Sequence, residues 1–156
     1  MIPITHGAKS IKIKLFILIE LCILLTLYSN IMVKKRIADV LTCAAPNFKA
    51  AHNYQNISVA ENEAVFNQRI KFMYQIAEEN AVDTLILGAW GCGVFMQNPW
   101  TTCKMLTENL ITEGYNISNI YYAIPNRNSE NFKKFEEYLN NYYTNLQYNE
   151  RYLNGL

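Results

Sequence analysis

Asp83-Thr84-Leu85-Ile86-Leu87-Gly88-Ala89-Trp90-Gly91-Cys92-Gly93-Val94-Phe95, followed after two residues by Asn98-Pro99, is the stretch that decides the fold. Thr84 to Leu87 is a short continuous apolar run, the pattern of a strand buried on both faces of a parallel sheet. It opens into a glycine-rich loop. Asn98 then offers a side-chain oxygen to cap a helix, and Pro99 suits the first helical position because the amide it lacks is an orphan there. In open parallel sheets, ligands bind beyond the carboxyl ends of strands, where such loops lead into helices. Gly88, Gly91 and Gly93 let backbone approach a ligand closely, and successive amides beside a helix N-terminus form a cradle for phosphate oxygens. No Gly-Lys-Ser/Thr follows, so this is not a P-loop, and the glycine spacing is not that of the dinucleotide fingerprint. A phosphate or another anion is the ligand this loop favours. The alternative is a tight turn whose glycines serve packing alone.

The flanking sequence alternates strand and helix patterns. Upstream, Ile37 to Cys43 is a β-rich run closing in Ala44-Ala45-Pro46-Asn47, and a polar loop follows through His52 and Asn56. Ser58 and Glu61 form a capping box, and Phe66, Ile70, Met73 and Ala77 then lie along one apolar helical stripe. Downstream, Cys103, Leu106 and Leu110 supply the buried side of the helix begun at Asn98, and Gly114 is placed to end it. Asn119 to Ile124 is a further strand, stopped by Pro125. Ser129 caps a last helix, with Phe132, Phe135, Leu139 and Tyr142 on one face. The tail from Asn145 is polar, tyrosine-rich and without a clear period. The resulting β-α-β-α-β-α order predicts right-handed crossovers and a small, mostly parallel sheet in a three-layer α/β fold.

Bulk properties narrow the function. A chain of 156 residues suits one domain, and 51% hydrophobic against 17% charged residues allows a real core. A net charge of +1 with no long basic run argues against nucleic acid as a partner. Cys22, Cys43, Cys92 and Cys103 form no C-x-x-C pair and are joined only by His6 and His52, so no metal site is predicted. Free thiols in a reducing compartment, hence a cytoplasmic protein, is the reading. No motif asks for a cofactor.

Residues 1–36 differ from the rest. Lys9, Lys12 and Lys14 precede the apolar run Leu15 to Leu27, broken only by Glu20 and Thr26, and Lys34-Lys35-Arg36 closes the segment. Basic flanks around an apolar core are the pattern of a signal peptide or membrane anchor. Leu15 to Val33 is just long enough to span a bilayer, although an ionisable residue in mid-span costs about 3 kcal/mol on insertion scales. No small-residue cleavage site follows. The segment is predicted as an N-terminal hydrophobic helix preceding the domain 37–156. It is read as an anchor, as a buried helix, or as a non-native start, since Met32 stands just ahead of the domain.

Asp83 to Phe95 with Asn98-Pro99 resembles the signature of bacterial-type poly(ADP-ribose) glycohydrolases. Asp39-Val40-Leu41-Thr42-Cys43-Ala44-Ala45-Pro46-Asn47 resembles that family's preceding strand and loop, and Tyr122-Ala123-Ile124 its next strand. The resemblance runs from near Ile37 to near Leu146 and corresponds to the C-terminal half of the family's domain. It implies a partial macrodomain-like fold that binds ADP-ribose or an ADP-ribosylated protein. Gly91, Cys92, Gly93 and Val94 would lie along the diphosphate, Phe95 near the distal ribose, and Asn47 in the same pocket.

The departures matter as much. Hydrolases of this family carry a glycine run followed by Gln-Glu-Glu and use a glutamate as acid/base, and this chain contains neither motif. Its paired glutamates, Glu78-Glu79 and Glu136-Glu137, fall on predicted helices and read as solvated faces. No catalytic residue is assigned, and a separate chain supplying the missing half is one implied partner. Cys92, near a helix N-terminus, is an alternative nucleophile with His52 as base. The other reading makes it a small side chain beside the phosphate path. A membrane-tethered ADP-ribose-binding module, with Leu15 to Val33 as tether, is the remaining alternative.

Overall fold

The computed structural model describes residues 3–6, 9–16 and 38–154, with side chains described over 38–147. Elements follow in the order β1 (Pro3–His6), β2 (Lys9–Phe16), α1 (Phe48–Gln55), α2 (Val59–Glu79), β3 (Thr84–Leu87), α3 (Pro99–Thr112), β4 (Asn119–Ala123) and α4 (Glu130–Asn154). The strands form one mixed sheet in the order β1-β2-β4-β3. Both neighbours of β4 run parallel to it, and β1 adds an antiparallel edge. The fold is α/β with a mostly parallel sheet, as the alternating pattern predicts.

The core lies between one face of β3–β4 and helices α2, α3 and α4. Ile120 and Tyr122 alternate inward from β4 and are fully buried. The parallel register sets them beside Leu85 and Leu87. Tyr122 packs edge-on against Phe135 of α4 at 5.3 Å between ring centroids, and its hydroxyl meets Thr107 of α3 at 3.2 Å. The buried Tyr74 of α2 donates its hydroxyl to the Leu106 carbonyl at 2.7 Å. Burial pushes both phenols far above the ordinary tyrosine range, so they stay neutral and keep those bonds.

Helix α2 starts where the capping box predicts. The Glu61 amide donates to the Ser58 hydroxyl at 3.2 Å, and the Ser58 amide donates back to Glu61 at 2.8 Å. Phe66, Ile70, Met73 and Ala77 are all buried. Asn98 caps α3 with Pro99 in the first turn, and Gly114, with φ of +70°, follows its end.

Four expectations need correction. Ile37 to Cys43 forms no strand over its described part; both edges of β4 are already taken, by β2 and β3, so no ladder position beside it is left. Residues 48–55 are helix α1 rather than a polar loop, with Asn47 as N-cap and Asn56 in the left-handed region as C-cap. Strand β3 is not buried on both faces; it ends the sheet, and Ile86 is 64% exposed. The tail after Asn145 continues α4 to Asn154, because Leu146 extends the stripe of Leu139 and Tyr142 onto the core.

Lys9 to Phe16 is a strand, so Leu15 and Phe16 close β2 beside Tyr122 and Ala123. The rest of the expected hydrophobic helix, 17–33, lies outside the described residues. Among the described residues no helix is long and apolar enough to cross a membrane.

Ser58→Ala is expected to lower stability by about 1 kcal/mol, read from the urea midpoint at pH 7. The Ser58 hydroxyl and amide hold the Glu61 carboxyl below its ordinary value of 4.5. Stability from a depressed carboxylate is in place above the unfolded value and lost as pH falls through the folded one. The gap between wild type and Ser58→Ala should therefore narrow below about pH 4.

Candidate functional site

The loop between β3 and α3 turns on two left-handed residues. Gly91 has φ of +77° and Met96 φ of +56°. Gly91 is irreplaceable on two counts. Its φ strains any L side chain, and an added Cβ would come within 2.7 Å of both the Ala45 Cβ and the Gln97 Cγ. Met96 holds the same region without that excuse, a strain of order 1 kcal/mol that the surrounding loop must offset.

What holds the loop is a buried amide pair. Asn62, at the head of the α2 stripe, donates to the Gln97 carbonyl at 2.8 Å, and Gln97 donates back at 3.0 Å. The Gln97 amide also donates to the Pro46 carbonyl at 2.8 Å. The Gln97 backbone amide bonds the Gly91 carbonyl at 3.0 Å, closing the loop across its base. From outside, the Trp90 indole donates to the Cys43 carbonyl at 3.3 Å and Arg69 to that of Ala44 at 2.9 Å. Lys49, in the first turn of α1, donates its amide to the Phe95 carbonyl.

Trp90, Cys92, Met96 and Gln97 donate to loop carbonyls. The amides of Gly93, Val94 and Phe95 donate to no acceptor among the described residues. Gly93 and Val94 are exposed, and a Cβ at Gly93 would meet nothing within 4 Å. Three consecutive unengaged donors ahead of a helix N-terminus suit an oxyanion.

A hollow of about 470 Å³ adjoins the loop, lined among others by Asn62, Glu63, Cys92, Gly93, Gln97, Asn98 and Glu130. Its carboxylates, Glu63 and Glu130, disfavour an anion inside it and can accept from hydroxyl groups.

The structure gathers Gly91, Cys92, Gly93, Val94 and Phe95 into this one loop, as their adjacency requires. Asn47 caps α1, its Oδ1 accepting the Ala50 amide at 3.1 Å, and it is not among the residues lining this hollow. Burial raises the Cys92 thiol to about 11. Its Sγ lies 3.3 Å from the Thr102 hydroxyl, and His52 Nδ1 is engaged with the Ile57 carbonyl at 3.1 Å. With its thiol protonated at neutral pH and no imidazole partner among the described residues, Cys92 lacks the activation of a thiolate nucleophile. Glu78 accepts the Asn116 amide, and Glu137 pairs with Lys134 beside the N-terminus of α3. No group of three or more His, Cys, Asp or Glu among the described residues could hold a metal.

Sequence reading missed Asn62 and Gln97. Asn62 sits four residues before Phe66 on the α2 stripe, and a polar residue in a buried register was the available signal. Gln97 carried none.

Two outcomes check this account. Gly91→Ala should cost about 2 to 4 kcal/mol, the sum of left-handed strain and overpacking, as a lowered melting temperature. Alkylation of Cys92 in the folded chain should stay slow at pH 8 and accelerate only toward pH 11.

No family model and no curated protein matches the chain. Solved structures do. Poly(ADP-ribose) glycohydrolase from Deinococcus radiodurans in complex with ADP-ribose superposes with a TM-score of 0.57 at 24% identity, over 62% of this chain and 40% of that one. The apo form of the same protein matches over 62% and 41%, with a TM-score of 0.56. The Thermomonospora curvata glycohydrolase bound to the inhibitor ADP-HPD gives 0.51 at 23% identity, over 59% and 36%. The chain thus spans about 40% of the length of the structures it resembles. Its fold is similar to part of the bacterial poly(ADP-ribose) glycohydrolase fold.

Proposed function

We propose that this chain is an ADP-ribose-binding portion of a macrodomain of the poly(ADP-ribose) glycohydrolase type, which binds the ligand without hydrolysing it. The observation that carries the reading is the run of unengaged amides at Gly93, Val94 and Phe95, braced from below by Gln97 and leading into α3. The shared fold supports it, since the Deinococcus radiodurans structure holds ADP-ribose. In this reading the diphosphate oxygens accept from those amides. The half-buried Phe95 ring lies against a ribose, and Gly91 and Cys92 shape the base of the loop. Asn47 contributes by starting α1, which braces Phe95 through Lys49, rather than by touching the ligand.

Cleaving a glycosidic bond requires a carboxyl group positioned at the anomeric carbon. The family's glycine run and Gln-Glu-Glu are absent from these 156 residues, and of the paired glutamates Glu78 is engaged with the Asn116 amide and Glu137 with Lys134. Binding is therefore the activity expected of the chain by itself.

Calorimetric titration with ADP-ribose tests the proposal, with Gly93→Val as the matched variant. The space around Gly93 is empty, so the variant should keep the wild-type melting temperature. It should also lose ADP-ribose affinity by about tenfold or more, the effect of blocking amides that bond an anion. Equal affinity in the two proteins, or no saturable heat with a folded wild type, would sink the proposal.

A further inference from the structure

The first residue of each described helix lines one hollow, the one that adjoins the β3–α3 loop: Phe48 of α1, Val59 of α2, Pro99 of α3 and Glu130 of α4. A helix N-terminus carries the equivalent of about half a positive charge, because its first amides have no acceptor within the helix. The effect is confined to the first turn, and here the first turns converge. Side-chain caps at Asn47, Ser58, Asn98 and Ser129 each engage an amide and leave the sign of the field unchanged. Among the described residues lining the hollow there is no lysine, arginine or histidine, so its attraction for an anion comes from peptide dipoles.

Two carboxylates oppose that field. Glu63 follows the buried Asn62 in α2, and Glu130 opens α4. Other carboxylates close by are engaged, Glu61 with the Ser58 hydroxyl and Glu137 with Lys134. Neither Glu63 nor Glu130 pairs with a cation among the described residues. A hollow of about 470 Å³ is about 8 Å across, close to the screening length at physiological salt, so both carboxylates are felt by an anion seated at Gly93.

The attraction and the repulsion scale differently with the ligand. Backbone amides bond the oxygens of any phosphate, esterified or free. Repulsion from a carboxylate grows with each further charge the ligand brings. A diphosphate esterified at both ends carries two negative charges, and one that ends in a free phosphate gains most of a third at neutral pH.

We infer that Glu63 and Glu130 set the charge selectivity of the β3–α3 loop: they discriminate against diphosphates with a free terminal phosphate and leave those esterified at both ends as the preferred ligands. The inference rests on the reading of this loop as the seat of a diphosphate, and adds the class of diphosphate that it takes.

ADP-ribose, ADP and ATP would be titrated, without magnesium, into the wild-type chain and into Glu63→Gln/Glu130→Gln. Glutamine keeps the shape of each side chain and removes its charge. The wild type should prefer ADP-ribose. In the double variant that preference should narrow by about threefold against ADP and about tenfold against ATP, as repulsion is lifted from one and two further charges. Raised salt should narrow the preference of the wild type and leave that of the double variant nearly unchanged. Glu79→Gln, at the far end of α2, should keep the wild-type ratios.

Unchanged ratios in the double variant would overturn the inference, as would the same narrowing in Glu79→Gln. Should the folded wild type bind no ADP-ribose, the ADP-ribose reading fails, and inorganic pyrophosphate decides the inference separately. Binding to the double variant about threefold or more tighter than to the wild type upholds it. Equal binding to the two, or none to either, overturns it.

Discussion

The structure turns on a reciprocal amide pair. Asn62 and Gln97 each donate to and accept from the other in a site shielded from water, and Gln97 spends its remaining donor on Pro46. Removing either partner strands a buried amide, at about 1 to 3 kcal/mol. More depends on it than that. Asn62 belongs to the first turns of α2, Gln97 to the last residues before α3, and Pro46 to the segment entering α1. One set of bonds therefore fixes three starting points of the surrounding frame. Gly91 sits against Gln97 with no room for a methyl group, so the loop can close only over this pair.

Rigidity at the base is what makes openness at the tip useful. Amides that wander must be ordered when a ligand arrives, and that ordering subtracts from affinity. Here the base is tied by Trp90, Cys92, Met96 and Gln97, and by the Lys49 amide on the Phe95 carbonyl. The chain between Gly91 and Met96 is short enough that little freedom remains. The three unengaged donors are thus held in place by neighbours whose own amides are already engaged. Cys92 is half-buried at the base of the loop and bonds Thr102, and that burial raises its thiol to about 11.

Much of this was legible in the residues. Ser58 with Glu61, and Asn98 with Pro99, announce helix starts through local chemistry that needs no tertiary context. The stripe from Phe66 to Ala77 follows from period alone. What escaped was set by partners distant in sequence. Ile37 to Cys43 has the composition of a strand, but β4 takes Lys9–Phe16 as its neighbour on that side, and no local pattern reveals such competition. Thr84 to Leu87 looks like a central strand because apolar content does not distinguish a sheet's middle from its margin. Helix α1 could have been seen, since Asn47 and Asn56 bracket eight residues as caps. In the site, the glycines were visible by type, whereas the Gln97 brace was invisible because a lone glutamine has no pattern.

The loop's two middle glycines answer to different masters. Gly91 is held by the interior: its φ and its contacts with Ala45 and Gln97 exclude every other residue whether or not a ligand ever binds. Gly93 faces open space in an ordinary conformation, so folding alone would accept almost any residue there. In a lineage that ceased to bind anything, drift would erase position 93 first and position 91 last. Position 91 thus reports on the integrity of the fold, and position 93 on whatever approaches the loop from outside.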